Sequence, residues 1–254
     1  MGIDPSLPDM TLLLVMLHTG TMFAVILYFW KQWRGAFFDS VPNLKRFALL
    51  LFAATAMTGI VGEALVQAIE KLWFRKAPNT DVEQLFGHLE LIAPGLALAG
   101  VLILIAGLLE TRNVPIADDG GLKMRQASLI GAVQGLCLPF RGLSRSGTTI
   151  STGMLAAVSK VRAEEFGFAL AVVLTPVVDV REVLRLIRSD HIGGSASLAS
   201  AMVPDLLGAF CAFLAGLLAL KWLSRWLEGG RWYLFGIYCL IAAGVVAVLH
   251  YAGY

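Results

Sequence analysis

The sequence predicts an all-α polytopic membrane protein with six transmembrane helices and one re-entrant helical hairpin, arranged as an incomplete inverted repeat. The first observation is composition: hydrophobic residues make up 57% of the 254 residues and charged residues only 15%. Soluble domains have roughly 45–50% and about 25%. This composition excludes a disordered chain, a soluble nucleic-acid binder and a disulfide scaffold. The net charge of +2 predicts no nucleic-acid partner.

The second observation is the length of the apolar stretches. A spanning helix needs about 20 mostly apolar residues. Six stretches meet this requirement: 11–30, 47–69, 88–109, 166–187, 203–223 and 232–252. The tryptophans lie near the ends of these stretches, which is typical of an aromatic belt at the membrane interface: Trp30, Trp33, Trp73, Trp222, Trp226 and Trp232.

The third observation is the segment 126–158, which interrupts this pattern. It has two apolar pieces, about 127–140 and 148–158, and each is too short to span a bilayer. The polar run 141–147 separates them. Broken backbone at membrane depth is tolerated only inside protein or beside water, so the pattern favours a re-entrant hairpin. An exposed loop between two short helices is the alternative.

The distribution of basic residues supports this topology. With a hairpin that returns to its side of entry, one side of the membrane carries twelve basic residues: Lys31, Arg34, Lys45, Arg46, Arg112, Lys123, Arg125, Lys160, Arg162, Lys221, Arg225 and Arg231. The other side carries six: Lys71, Arg75, Lys76, Arg181, Arg185 and Arg188. If the segment crossed the membrane once, most of this bias would disappear. The positive-inside rule makes the first side cytoplasmic, with the hairpin tip pointing outward.

The order of segments predicts a single integral membrane domain over 1–254. Its first half-repeat, about 1–115, has three spans and no hairpin, and its second, about 122–254, has the hairpin and three spans. Three crossings reverse the orientation of a repeated unit, so the arrangement indicates an inverted repeat that lacks one hairpin.

The hairpin carries the residues that indicate chemistry. Seven of the eight residues 144–151 are polar or glycine, and such groups at membrane depth are usually functional. Arg145 offers a planar fork of donors that holds phosphate oxygens in pairs. Gly142 and Gly147 let backbone N–H groups come close, at the expected start of a helix that favours an anion. The pattern therefore predicts phosphate binding; a polar cap with an interfacial arginine is the alternative.

The run 142–155 closely resembles the signature of the undecaprenyl-diphosphate phosphatases of the bacitracin-resistance type. Supporting similarities lie at 17–21, 125–127, 163–166 and 235–238. The resemblance implies a hydrolase that removes the terminal phosphate of a polyprenyl diphosphate at the outer face of the bacterial cytoplasmic membrane. It thereby recycles the lipid carrier of cell-wall synthesis and confers bacitracin resistance.

The resemblance also implies roles for single residues. Three residues are expected to be catalytic: Arg145, Ser144 and Ser146. Six are expected to bind substrate: Gly142, Gly147, Thr148, Thr149, Ser151 and Arg141. The implied cofactor is a divalent metal ion, Mg²⁺ or Ca²⁺. The expected partners are the polyprenyl diphosphate, the bilayer and a second copy in a homodimer.

The sequence departs from the family pattern in two ways. Arg141 stands where proline is usual, and the family's N-terminal hairpin of glutamates, serines and a histidine has no counterpart. The expectation is either a missing N-terminal segment or a degenerate homologue. Glu63 and His18 are the remaining metal candidates, each with an equally good or better structural explanation. A catalytically impaired homologue that binds or translocates an isoprenoid phosphate, and a small-solute transporter, are the alternative functions.

Overall fold

All regular secondary structure in the part of the chain that the structure describes is α-helical. The computed structural model describes residues 8–73, 89–110, 121–140, 142–188 and 198–251. Within these ranges there are eight helices and no strand: α1 Pro8–Ala36, α2 Val41–Trp73, α3 Leu89–Glu110, α4 Met124–Cys137, α5 Arg145–Leu155, α6 Lys160–Arg188, α7 Leu198–Glu228 and α8 Trp232–Tyr251. The predicted all-α class is confirmed.

Five of the described helices are long and apolar enough to cross a membrane: 13–36, 41–69, 92–109, 205–228 and 232–251. They correspond to five of the six predicted spans. The remaining span, 166–187, lies within α6, but charged residues flank its apolar middle. Glu164 and Glu165 precede that middle, and Asp179 follows it, so the uncharged stretch is only 166–178. The sixth span stays a prediction.

The chain divides into two compact units. One unit holds α1, the part of α6 from Ala171 onward and α7 as far as Ser224. The other holds α2 to α5, the beginning of α6 and α8. The second unit contains the hairpin, and the candidate site is built within it.

Glycines bring the helices of the second unit into close contact. α2 packs along α4, and α3 packs along α8. A Cβ on Gly135 would lie 2.7 Å from the carbonyl oxygen of Thr58, and one on Gly107 would lie 2.6 Å from the backbone nitrogen of Tyr233. Small residues at helix contacts allow this approach, which is common in membrane helix bundles. The Thr58 hydroxyl also donates to the carbonyl of Gly131, 2.9 Å away, and so ties α2 to α4.

The helices α4 and α5 form an antiparallel hairpin. At its base, the Gln126 side-chain nitrogen donates to the carbonyl of Ala156 at 2.9 Å, which joins the start of α4 to the end of α5. Near its tip, the Cys137 sulfur lies 3.1 Å from the Thr148 hydroxyl. The helices have 14 and 11 residues. At 1.5 Å per residue they are about 21 and 16 Å long, shorter than a membrane core of about 30 Å.

Candidate functional site

The site is built at the hairpin tip, where α5 begins. Ser144 is the N-cap of α5, and its side-chain oxygen accepts a hydrogen bond from the N–H of Gly147 at 3.3 Å. The N–H of Thr148 donates to the Ser144 carbonyl at 2.8 Å, which closes the first helical turn. Helix geometry leaves the N–H groups of Arg145 and Ser146 without partners inside the helix, while that of Gly147 is capped by Ser144. These N–H groups and the helix dipole make the tip favourable for an anion.

Arg145 is the first residue of α5. Its side chain is exposed, and it forms no hydrogen bond or ion pair with the residues that the structure describes. Ser144 and Ser146 beside it are partly exposed. The three residues predicted to be catalytic are therefore consecutive, and each is at least partly accessible. An accessible guanidinium beside two hydroxyls and the N–H groups of a helix start can bind a phosphate through charge-assisted hydrogen bonds.

The hydroxyls one turn further along α5 are buried and already bonded. The Thr148 hydroxyl donates to the Ser144 carbonyl at 2.8 Å, and the Thr149 hydroxyl donates to the Arg145 carbonyl at 2.8 Å. Both side chains are at most 2% exposed. These bonds hold the first turn of α5 in shape from inside the protein. A direct contact of these two hydroxyls with substrate stays a prediction.

Ser151 is also buried, and its partner comes from another helix. The indole N–H of Trp232, at the start of α8, donates to the Ser151 oxygen at 2.9 Å. Trp232 has no exposed surface, so the expectation that it belongs to an aromatic belt is wrong. The reason is that a buried indole N–H needs an acceptor, and Ser151 supplies one. Sequence reasoning missed this pair because its members are 81 residues apart.

The two predicted phosphate-site glycines, Gly142 and Gly147, are buried against neighbouring helices. Gly142 lies so close to the carbonyl of Ile92 in α3 that no side chain fits between them. A Cβ on Gly147 would lie 2.6 Å from Ile103 in α3 and 3.0 Å from the ring of Phe235 in α8. Because neither glycine has a side chain, α3 and α8 pack directly against the backbone of the hairpin tip. Phosphate binding by the N–H groups of these two glycines stays a prediction.

The other candidates lie in different surroundings. Arg141 is outside the described residues. The Glu63 side chain is exposed and accepts a hydrogen bond from Gln67 at 3.0 Å, one turn further along α2. Its neighbour Gly62 contacts Leu138 of the hairpin, so Glu63 lies at the level of the tip. His18 belongs to the other unit, and its Nδ1 lies 2.8 Å from the carbonyl of Leu14.

The described residues do not by themselves supply a metal site. Among them, no group of three or more His, Cys, Asp or Glu side chains is close enough to hold an ion. Glu63 offers a single carboxylate, which is fewer ligands than divalent cations take in proteins. Metal dependence therefore stays a prediction from the resemblance.

Known proteins resemble this chain over almost its whole length. The chain is 50% identical to undecaprenyl-diphosphatase 2 of Acinetobacter baylyi over 98% of its residues and 87% of that protein. It is 32% identical to undecaprenyl-diphosphatase 2 of Burkholderia orbicola over 95% of its residues and 82% of that protein. The undecaprenyl-diphosphatase of Bacteroides fragilis is 28% identical over 92% of the chain and 81% of its own length.

The family comparison agrees with these relatives. The model for the family described as bacitracin resistance protein BacA matches residues 1–246, which include every described helix of the hairpin unit up to most of α8. The match covers the exposed Arg145, its two serines and the glycines that seat the tip. The chain belongs to the BacA family of bacitracin resistance proteins.

Proposed function

We propose that this protein hydrolyses undecaprenyl diphosphate, or a similar polyprenyl diphosphate, to the monophosphate and inorganic phosphate. The observation that carries the proposal is the exposed Arg145 at the start of α5, which has no hydrogen-bond or ion-pair partner among the described residues, in a chain of the BacA family. Relatives that cover nearly all of the chain bear the name undecaprenyl-diphosphatase. The reaction recycles the lipid carrier of cell-wall synthesis and accounts for bacitracin resistance.

In this reaction water attacks the terminal phosphorus, and the bond from that phosphorus to the bridging oxygen breaks. Arg145 neutralises the terminal phosphate and the charge that develops during transfer. Ser144, Ser146 and the free N–H groups of the first turn of α5 orient its oxygens. Phosphoryl transfer depends mainly on such positioning and charge stabilisation. Thr148 and Thr149 act indirectly, by holding the turn that presents these groups.

The membrane arrangement is part of the proposal. The chain crosses the bacterial cytoplasmic membrane six times, and the α4–α5 hairpin enters from the cytoplasmic side, with its tip and the site toward the outer face. The excess of basic residues on one side supports this orientation. The shortness of α4 and α5 supports a hairpin that turns back. The whole chain is one membrane domain with an incomplete inverted repeat, and a homodimer is its proposed assembly.

Site-specific labelling tests the orientation. Single cysteines at Lys123 and Lys160, in a chain whose native cysteines are replaced, should both react with a membrane-impermeant reagent only from the cytoplasmic side. A cysteine at Lys76 should react from outside. Labelling of 123 and 160 from opposite sides would mean that this segment crosses the membrane once, and the proposed site would lose its placement.

Phosphate release tests the activity. The purified chain in detergent is incubated with undecaprenyl diphosphate, with Mg²⁺ or Ca²⁺ and with a chelator. Hydrolysis that the chelator abolishes would support both the activity and the proposed divalent ion, for which Glu63 is a ligand candidate. Tight binding of the lipid without hydrolysis would instead support the catalytically impaired homologue. The absence of both binding and hydrolysis would contradict the proposal.

A further inference from the structure

The hairpin tip rests against a Pro–Gly pair in the second turn of α3. A Cβ on Gly95 of α3 would lie 3.1 Å from the Cα and carbonyl carbon of Gly142 and 3.1 Å from the nitrogen of Leu143. In the opposite direction, Gly142 leaves no room for a side chain against Ile92. The two backbones therefore meet directly, with glycine on both sides of the contact.

Pro94 and Gly95 are costly residues for a helix. Proline disfavours a helix interior by about 3 kcal/mol and glycine by about 1 kcal/mol, relative to alanine. Proline also removes one N–H and its hydrogen bond to the carbonyl four residues earlier. Both residues lie inside α3, at the point where the tip makes contact. This loss of helix stability has a structural reason if the pair lets the backbone of the hairpin tip approach α3 closely.

The contact of Gly95 with Gly142 and Leu143 lies only two residues before Arg145 in the sequence. Leu143 follows Gly142 and is followed by Ser144, the N-cap whose carbonyl and hydroxyl organise the first turn of α5. On the far side of that turn, Gly147 is confined by Ile103, also from α3. The tip therefore contacts α3 on both sides of Arg145, and we expect a displacement at Gly142 to reach Arg145.

We infer that Gly95, with Pro94, is a positioning residue that sets where Arg145 meets the terminal phosphate. This inference rests on the proposed phosphatase function. Gly95 does not touch substrate; it acts through Gly142 and Leu143. The three atoms nearest to a methyl group at position 95 are backbone atoms of the tip, each 3.1 Å away, so the tip must yield by a few tenths of an ångström.

The test compares Gly95→Ala with the unchanged protein. Misplacement of a catalytic group by about 1 Å can cost about 100-fold in rate, so a shift of a few tenths should lower kcat by about 10-fold. KM should change less than twofold. The melting temperature should be unchanged or higher, because alanine favours a helix more than glycine does. Pro94→Ala restores helix propensity and should also lower kcat while raising the melting temperature, so it serves as a second, well-folded variant.

Matched controls are Gly59→Ala in α2 and Gly244→Ala in α8. A Cβ at either position meets nothing within 4 Å. Both should leave kcat within twofold of the unchanged protein. Normal kcat in Gly95→Ala and Pro94→Ala, or an equal loss in the controls, would overturn the inference. A loss of kcat accompanied by a lower melting temperature in both α3 variants would also overturn it.

A second readout does not depend on hydrolysis. A Ser146→Cys reporter is placed in a Cys211→Ala background, which removes the one native cysteine that is exposed. Its labelling rate by a water-soluble maleimide should change at least twofold when Gly95→Ala is added and stay constant with Gly59→Ala. If the unchanged protein releases no phosphate, the proposed function fails, and the labelling rates still decide whether Gly95 sets the position of the tip. Equal rates would reject that role.

Discussion

The first and second turns of α5 are made from the same kinds of residue, yet their side chains have opposite surroundings. Ser144, Arg145 and Ser146 are exposed or partly exposed, and the Arg145 guanidinium has no partner among the described residues. Thr149 and Ser151 are buried, and both have hydrogen-bond partners within the protein. The comparison shows that one largely polar run has two environments: its start is accessible to a ligand, and its continuation is buried and bonded within the protein.

The largest effect is expected at Arg145, on the exposed turn. Arg145→Ala and Arg145→Lys should each lower kcat about 100-fold or more, because a preorganised charge on the transferring phosphate is lost. Lysine should not restore the rate, since it lacks the planar fork of donors. The melting temperature should not fall, because no described residue depends on the guanidinium. The measurement is phosphate release together with thermal unfolding in detergent.

A lysine variant with near-normal turnover would contradict this assignment. It would show that Arg145 contributes only a general positive charge at the tip. The first turn of α5 would then not hold the phosphate through a specific geometry.

The next effect is expected on the buried turn, and it should appear as stability. Ser151→Ala leaves the Trp232 indole N–H without its acceptor, which costs about 1–3 kcal/mol in the free energy of unfolding. Trp232→Phe should also destabilise the protein, since it removes the donor and leaves the serine hydroxyl buried. The double variant should be less destabilised than the sum of the two, as is typical when both partners are removed.

Thermal unfolding of the four proteins in this cycle gives the coupling energy. Additive effects would show that the Ser151–Trp232 bond contributes nothing to stability. Ser151→Ala could instead lower kcat more than Arg145→Ala does, at unchanged stability. That result would show that Ser151 binds substrate and does not only support the first turn.

A smaller effect is expected at Ser146, again on the exposed turn. Ser146→Ala removes one hydroxyl from the proposed phosphate site, and a single hydrogen bond contributes about 0.5–1.5 kcal/mol. Phosphate release should therefore slow by roughly 3–10-fold. The melting temperature should stay the same. Thr149→Val is the matched comparison, and its loss of activity should be accompanied by a lower melting temperature. The same pattern in both variants would remove the distinction between the turns.

The smallest effect is expected where the hairpin ends. Ala157 has a φ of 61°, a left-handed conformation that costs a residue with a Cβ about 1–2 kcal/mol. It follows α5, and the next N–H, that of Val158, donates to the carbonyl of Gly153 at 2.9 Å. Ala157→Gly should raise the free energy of unfolding by about 1 kcal/mol and leave kcat unchanged. A lower melting temperature would show that the alanine methyl group contributes packing that outweighs this strain.

The sequence by itself determined the all-α class, five helices long and apolar enough to cross a membrane, and the position of the helical pair α4–α5. These features depend on local properties: long apolar runs, short apolar pieces and a polar, glycine-bearing turn. The site run 144–151 was recognisable for the same reason, because its composition is unusual for residues in an apolar context. The charged residues on either side of 166–178 are also local, and they leave an uncharged stretch in α6 that is shorter than a spanning helix requires.

The tertiary structure alone decided which polar residues of that run are available to a ligand. Thr149 and Arg145 lie four positions apart in one helix, yet one is buried and the other open, because α3, α6 and α8 cover only part of α5. Contacts such as Trp232–Ser151 and Gly95–Gly142 join residues that are far apart in the chain. Burial and backbone approach depend on which helices meet, and no local pattern of residues encodes that.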